Sequence, residues 1–341
     1  MTKKGKSDKR SALSEFEIIA RYFAPLATDP AALALLDDTA ILPVPEGQEL
    51  IATTDTIIEG VHFLSDDPPD SIGHKALAVT LSDLAAKGAR PYAYLLSLAL
   101  PEPSAQWLEA FTEGLGGLQA RAGICLVGGD TSATPGPLTV TITALGLLPQ
   151  GDAVLRRGAL PGDTLMLSGT VGDAYLGLRL LREPKLAREW ALSEAETGFL
   201  IDRYRRPQAR TAIAPSIRHC ARASIDISDG LAADTAKLCK ASGVAATIEA
   251  ARVPLSPAAA KVVQAAPDLF QDMLSAGDDY EILAAMEASH ASAFARETVE
   301  HSIPVTAIGS VRAGAGEVEL LDAAGKPLAL DHFGFVHFED D

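Results

Sequence analysis

The sequence predicts a mixed α/β chain of about two domains, and three observations predict it. A chain of 341 residues with 48% hydrophobic composition can bury a full core, and domain-size priors favour about two units at that length. Short apolar runs of strand character alternate with segments of helical length. The stretch LPQGDAVLRRGALPGD, residues 148–163, clusters Pro, Gly and charge between two strand signals and marks the domain joint.

At the start of the chain MTKKGKSDKR reads as a frayed basic tail, and the helical spacing of SALSEFEIIARYF predicts a helix over 16–23. Apolar and β-branched runs predict strands over 50–55, 92–99, 124–127 and 138–148, with helices over 72–88 and 105–122 between them. Beyond the joint, strands are predicted over 164–168, 224–227 and 244–248 and helices over 174–181, 207–220 and 231–241, with further alternation to the end. The expected domains are 1–148 and 149–341.

Composition excludes several classes of function. The net charge of -16 argues against a nucleic-acid or anionic-membrane partner, since phosphate-backbone binding depends on lysine and arginine clusters. The apolar stretches 91–101 and 137–149 fall short of the roughly 18–20 residues of a membrane helix, so no span is expected. Cys125, Cys220 and Cys239 are far apart with no CxxC pairing, which suggests neither a disulfide framework nor a zinc site and makes the cytoplasm the expected location.

Aspartates gather at element ends: LDDTA (36–40), TTDT (53–56), LSDLAAKGA (81–89), GGDT (128–131), DISDGL (226–231) and AGDDYE (276–281). Asp130 and Asp229, beside glycines, also suit turns and helix starts. On its helix, Asp83 lies opposite Leu77, Leu81 and Leu84 and beside Ala76, Val79 and Ala86. Two readings stand for it: a buried carboxylate that needs a partner or metal, or a solvated edge paired with Lys87 at i+4. Strand parity sends Ile225 and Ile227 to one face and Asp226 with Ser228 to the other, and likewise puts Thr53 and Asp55 on one face. Hard oxygen donors without His/Cys sets select Mg²⁺, which typically combines one or two carboxylates with substrate phosphates. Gly128 and Gly129, at the end of the ICLV strand, leave room for a phosphate to approach the backbone or form a plain turn. No GxxxxGK[ST], GxGxxG after a strand, HExxH or GxSxG occurs.

In this order LDDTAIL, TTDTIIEGVHF, KALAVTLSDLAAKGA, VGGDT, LRRGALPGD, DISDGLAAD and AGDDYEIL resemble the thiamine-monophosphate kinase family, over most of the chain from Asp37 to Leu283. That family belongs with aminoimidazole-ribotide synthetase and selenophosphate synthetase. The resemblance implies an N-terminal α/β domain dimerising through its sheet and a C-terminal α/β domain closing over the nucleotide. It implies ATP-dependent phosphorylation of thiamine monophosphate to thiamine diphosphate with several Mg²⁺ ions, by a homodimer.

Position by position, Asp38, Thr53, Thr54, Asp55, Asp83, Asp130 and Asp226 resemble the family's Mg²⁺ ligands, with Asp229 a further metal contact. Gly129, Arg156 and Ser228 resemble its ATP contacts, Asp130 serving both ion and nucleotide. Asp55, Asp83, Asp130 and Arg156 carry the expected catalysis. His62, Asp278 and Phe335 resemble substrate contacts, and Glu59 has no assigned role. Two positions depart from the family: Leu36 stands where it usually has Gly, and Asp278 where it usually has Glu. The alternatives are a sister ATP-dependent synthetase or a non-catalytic metal- or nucleotide-binding protein. A selenophosphate-type relative is disfavoured because no Cys precedes Cys125, and a hydrogenase-maturation relative because the sequence ends in FEDD.

Overall fold

The computed structural model describes residues 13–335; the basic tail and the terminal FEDD lie outside them. Contacts divide the chain into two compact units, 1–43, 55–76 and 93–143 in the first and 44–54, 77–92 and 144–341 in the second.

Four strands, β1 (Gln48–Ile58), β2 (Arg90–Leu100), β3 (Cys125–Ala133) and β4 (Thr139–Pro149), form a sheet in the order β1-β4-β2-β3. β2 and β3 run parallel, as their connection through the Ala105–Ala122 helix allows. Ser104 caps that helix by accepting from the Trp107 N–H, and Gly123, at φ 65°, ends it. Its Leu108, Phe111 and Leu115 are buried. Gln119 from the same helix accepts from the buried Tyr94 hydroxyl at 2.8 Å and donates to the Leu26 carbonyl at 2.9 Å, so its amide is satisfied inside the core.

β3 runs on through GGDT, where the sequence suggests a strand ending at 127. Its ladder with β2 slips by one residue, pairing Tyr94 with Leu126 and Leu95 with Gly128, a bulge at Val127. A Cβ on Gly129 would lie 1.8 Å from the Leu96 carbonyl oxygen. The glycine there is demanded by the neighbouring strand and not by a turn.

The second unit holds a six-stranded sheet of β5 (Thr164–Ser168), β6 (Ala223–Asp226), β7 (Val244–Glu249), β8 (Ile282–Met286), β9 (Val305–Ala313) and β10 (Val318–Leu321), in the order β10-β7-β9-β5-β8-β6. Its pairings are antiparallel except β10 with β7. Both faces are covered, which period two makes legible. Leu165, Leu167, Ile225, Leu283 and Ala285 belong to one core cluster, while Met166, Ile282, Ala284 and Met286 belong to the other. A third cluster joins the Asp173–Arg182, Glu194–Arg205 and Pro257–Ala265 helices around Leu176, Leu200 and Val262.

The helix expected over 207–220 is shorter. A single turn, Thr211–Ile213, precedes a helix at Ala214–Cys220. The stretch before them is irregular, and it delivers Arg210 to the buried Glu281.

Candidate active site

In the second unit, three elements carry oxygen donors to one place. The helix Pro69–Ala86 is buried on every side from Ser71 to Ser82, and Asp83, next along it, is partly buried. The Asp83 carboxylate accepts a hydrogen bond from the Thr53 hydroxyl. Lys87, one turn on, donates to the Ser224 carbonyl at 2.7 Å. Burial pulls its ammonium down to about 8 against the opposing charges of Asp226 and Asp83.

Asp226, at the end of β6, is buried, whereas Ile225 and Ile227 enter the hydrophobic core as strand alternation predicts. Burial first, and the Asp83 charge second, push its carboxyl up to about 8, while Ser82 and Lys87 pull the other way. The buried Asp226 thus stands within reach of the charge of the partly buried Asp83, which disfavours its ionised form.

Past β6 the chain continues the β6–β8 pairing irregularly. The Tyr280 N–H donates to Ile227 O, the Ile227 N–H to Glu281 O and the Asp278 N–H to Ser228 O, each at 2.8 Å. The strands can come this close because Gly277 lacks a Cβ, which would lie 1.9 Å from the Ser228 oxygen. Asp278 has φ 74°, a left-handed backbone that Asp tolerates better than most residues because its short side chain bonds locally. This pairing sets Asp278 beside Ser228 and Asp229. Phe335, half exposed, donates its N–H to the Asp229 carbonyl at 2.9 Å and so joins the same cluster. Arg156 is exposed; its segment is tied to β6 through Leu155 O accepting from Ser224 N at 3.0 Å, and to Ser242, whose hydroxyl donates to Arg156 O at 3.1 Å.

Beneath this loop lies an ion network with no motif in the sequence to announce it. Glu281, fully buried, accepts from Arg203 at 3.0 Å, from Arg210 Nε at 2.6 Å and from Ser168 at 2.7 Å. Asp279 accepts from the Gly172 N–H at 2.9 Å, and burial holds its carboxyl well above the usual carboxylate range. Asp173 accepts from Thr170 and Ser256, each at 2.5 Å. Glu281 is visible in AGDDYE, but Arg203 and Arg210 carry no local signal. Their partner is more than 70 residues away.

The first unit holds Asp38, Asp55, His62, Gly129 and Asp130. Along β1, Thr53 and Asp55 are half-buried and Thr54 and Thr56 exposed, the parity expected of a strand with one covered face. Asp38 is exposed and follows three left-handed residues, Leu33 (φ 49°), Ala34 (φ 58°) and Leu35 (φ 54°). Asp130 is exposed on β3 and accepts from the Ser132 hydroxyl at 2.7 Å. His62 Nδ1 accepts from the Ile58 N–H at 3.1 Å, so one ring nitrogen closes the local turn. Glu59 gains an explanation: its carboxylate accepts from the Leu138 N–H at 3.2 Å, bracing the end of β1.

The donor set suits a hard divalent cation. Thr53, Asp83 and Asp226 offer only oxygen, and Asp229, three residues beyond Asp226, attracts the ammonium of Lys237. No helix of the described residues is long and apolar enough to cross a membrane.

Comparison with known proteins adds to this geometry. Residues 36–148 match the family model "AIR synthase related protein, N-terminal domain" and residues 161–321 the corresponding C-terminal domain. A thiamine-monophosphate kinase from Caulobacter vibrioides is 42% identical over 329 residues, 95% of this chain and 91% of the relative. A crystal structure of a thiamine-monophosphate kinase from Stenotrophomonas maltophilia K279a superposes with a TM-score of 0.82 at 37% identity, covering 93% of this chain and 98% of that one. A further solved structure, described as AaThiL complexed with AMPPCP and TMP, gives a TM-score of 0.75 at 32% identity, covering 95% of this chain and 97% of that one.

Proposed function

Since the chain belongs to the thiamine-monophosphate kinase family, we propose that it transfers the terminal phosphoryl group of ATP to thiamine monophosphate, giving ADP and thiamine diphosphate, the last step of thiamine diphosphate biosynthesis. The observation that carries this reading is likeness along nearly the whole chain to relatives of that name, one of which was solved with an ATP analogue and TMP bound.

The reaction joins two anions. Two unit charges at 4 Å repel by roughly 4 kcal/mol at an effective dielectric of 20. Bound Mg²⁺ would supply the positive charge that cancels this repulsion. In the second unit Thr53, Thr54, Asp83, Asp226 and Asp229 would hold it, Thr53 fixing the Asp83 carboxylate through its hydroxyl. From the first unit, the family resemblance supports Asp38, Asp55 and Asp130 as further ligands.

Arg156 is exposed, and its guanidinium would meet phosphate oxygens; Ser228 and Gly129 would contact ATP. Asp278, Phe335 and His62 would contact thiamine monophosphate, Asp278 from a backbone held by its N–H bond to Ser228. The acceptor phosphate has its second ionisation near pKa ~6 and is largely deprotonated at neutral pH, so no side-chain base has to take a proton from it. Catalysis then rests on positioning and charge stabilisation.

The working organisation is a cytoplasmic homodimer with domains 1–148 and 149–341. The free thiols Cys125, Cys220 and Cys239 support a reducing compartment, and the dimer rests on the family resemblance. Purified protein incubated with ATP, Mg²⁺ and thiamine monophosphate should form thiamine diphosphate. ATP turnover without that product would favour a sister synthetase, and nucleotide or metal binding without turnover a non-catalytic role.

A further inference from the structure

Lys237 lies on the Leu231–Ser242 helix, two turns past Asp229. Its ammonium is held by two carboxylates at once. It donates to Asp229, and it donates to Asp234 Oδ1 at 2.8 Å, one turn earlier on its own helix. The two acids differ in their other bonds. Asp234 is buried, and its other oxygen accepts the Ser228 N–H at 3.0 Å and the Asp229 N–H at 2.9 Å. It is a fixed anchor for the DISDGL turn. Asp229 is only partly buried, and Lys237 is the one cation paired with its carboxylate among the ion pairs of the described residues.

We propose that Lys237 is a tethered counter-cation: it neutralises Asp229 while no divalent ion is bound, retreats onto Asp234 when one binds, and thereby sets the metal concentration the site needs. This rests on the reading of Asp229 as a metal contact. The competition is electrostatic: the ammonium on Asp229 Oδ2 offsets the negative charge that would attract a divalent ion and repels that ion at close range. The geometry permits release, since the side chain is 40% exposed and keeps its bond to Asp234 when the one to Asp229 breaks. As a positioning residue, Lys237 acts on substrate only through Asp229.

The test is binding of Mn²⁺, as a probe for Mg²⁺, to the full-length protein in the presence of AMPPCP, followed by the free-ion EPR signal. Lys237→Met keeps the aliphatic stem and removes the charge; it should tighten Mn²⁺ about five- to tenfold, the order of the one charge-assisted hydrogen bond, partly exposed to water, that the ion has to displace. Its Tm in EDTA should fall below the native value, and the rise in Tm on adding Mg²⁺ should be larger. Lys237→Arg, which restores the charge, should bring the affinity back toward native. Lys237→Gln gives the same comparison if the Met variant fails to fold. Unchanged or weaker Mn²⁺ binding in the charge-free variants would overturn the proposal while leaving the metal site standing. Native protein that binds no Mn²⁺ with AMPPCP would overturn the metal reading and this one with it.

Discussion

Replacing Asp226 with asparagine separates what the residue costs the fold from what it gives the site. In the metal-free protein its carboxyl is raised from 3.8 to about 8 by burial and by Asp83. Between these values the folded state holds a proton that the unfolded chain has released. Stability therefore falls as the pH rises through that window, by at most about 1.4 kcal/mol per pH unit for one proton. A carboxamide at this position does not titrate. Between pH 5 and 7 the native protein in EDTA should lose roughly 2–3 kcal/mol relative to Asp226→Asn, a Tm gap that widens by about 5 °C. Saturating Mg²⁺ should shrink the gap, because the ion holds the carboxylate ionised in the folded state. Turnover should move the opposite way, with kcat falling by roughly 100-fold or more once a ligand is lost. The assay is thermal unfolding of both proteins across that pH range, with and without Mg²⁺. Parallel Tm profiles in EDTA would refute the claim that Asp226 sits uncompensated beside Asp83.

Three further outcomes are expected. Asp83→Asn and Asp55→Asn should lower kcat by orders of magnitude in a folded protein, and near-normal turnover at saturating Mg²⁺ would remove them from the metal site. His62→Ala should raise KM for thiamine monophosphate far more than for ATP and cost about 1 kcal/mol of stability through the lost acceptor of the Ile58 N–H; equal effects on both KM values would reject the substrate contact. Glu281→Gln should destabilise the protein by about 3 kcal/mol in chemical unfolding, since it removes the anion that Arg210 pairs with and leaves Arg203 only the more distant Asp173 at 4.0 Å, and a loss under 1 kcal/mol would contradict that account.

Much of the site's scaffold is legible in the chain itself. Strand parity places Ile225 and Ile227 in the core and turns Asp226 away from it, because one residue in two faces each side of a strand. The nearly apolar circumference of the Asp83 helix announces its burial. Other features depend on distant partners. The run Val127–Gly129 reads as a strand meeting a turn, because the backbone that requires the second glycine, at Leu96, belongs to a neighbouring strand. Glu59 has no readable role because its partner, Leu138, is 79 residues away. Lys237 reads as an ordinary helix lysine, and Arg203 and Arg210 have nothing nearby in sequence to suggest a buried anion.

The pairing of residues 227–228 with 278–281 binds two segments some fifty positions apart into one mechanical piece. The amide protons of Ile227, Asp278 and Tyr280 are all bonded within that ladder, so their exchange with solvent reports on how often it opens. Because Ser228 and Asp278 share one of these bonds, a change that frees the 278–281 segment also removes a support of Ser228, and the two positions are coupled through the backbone.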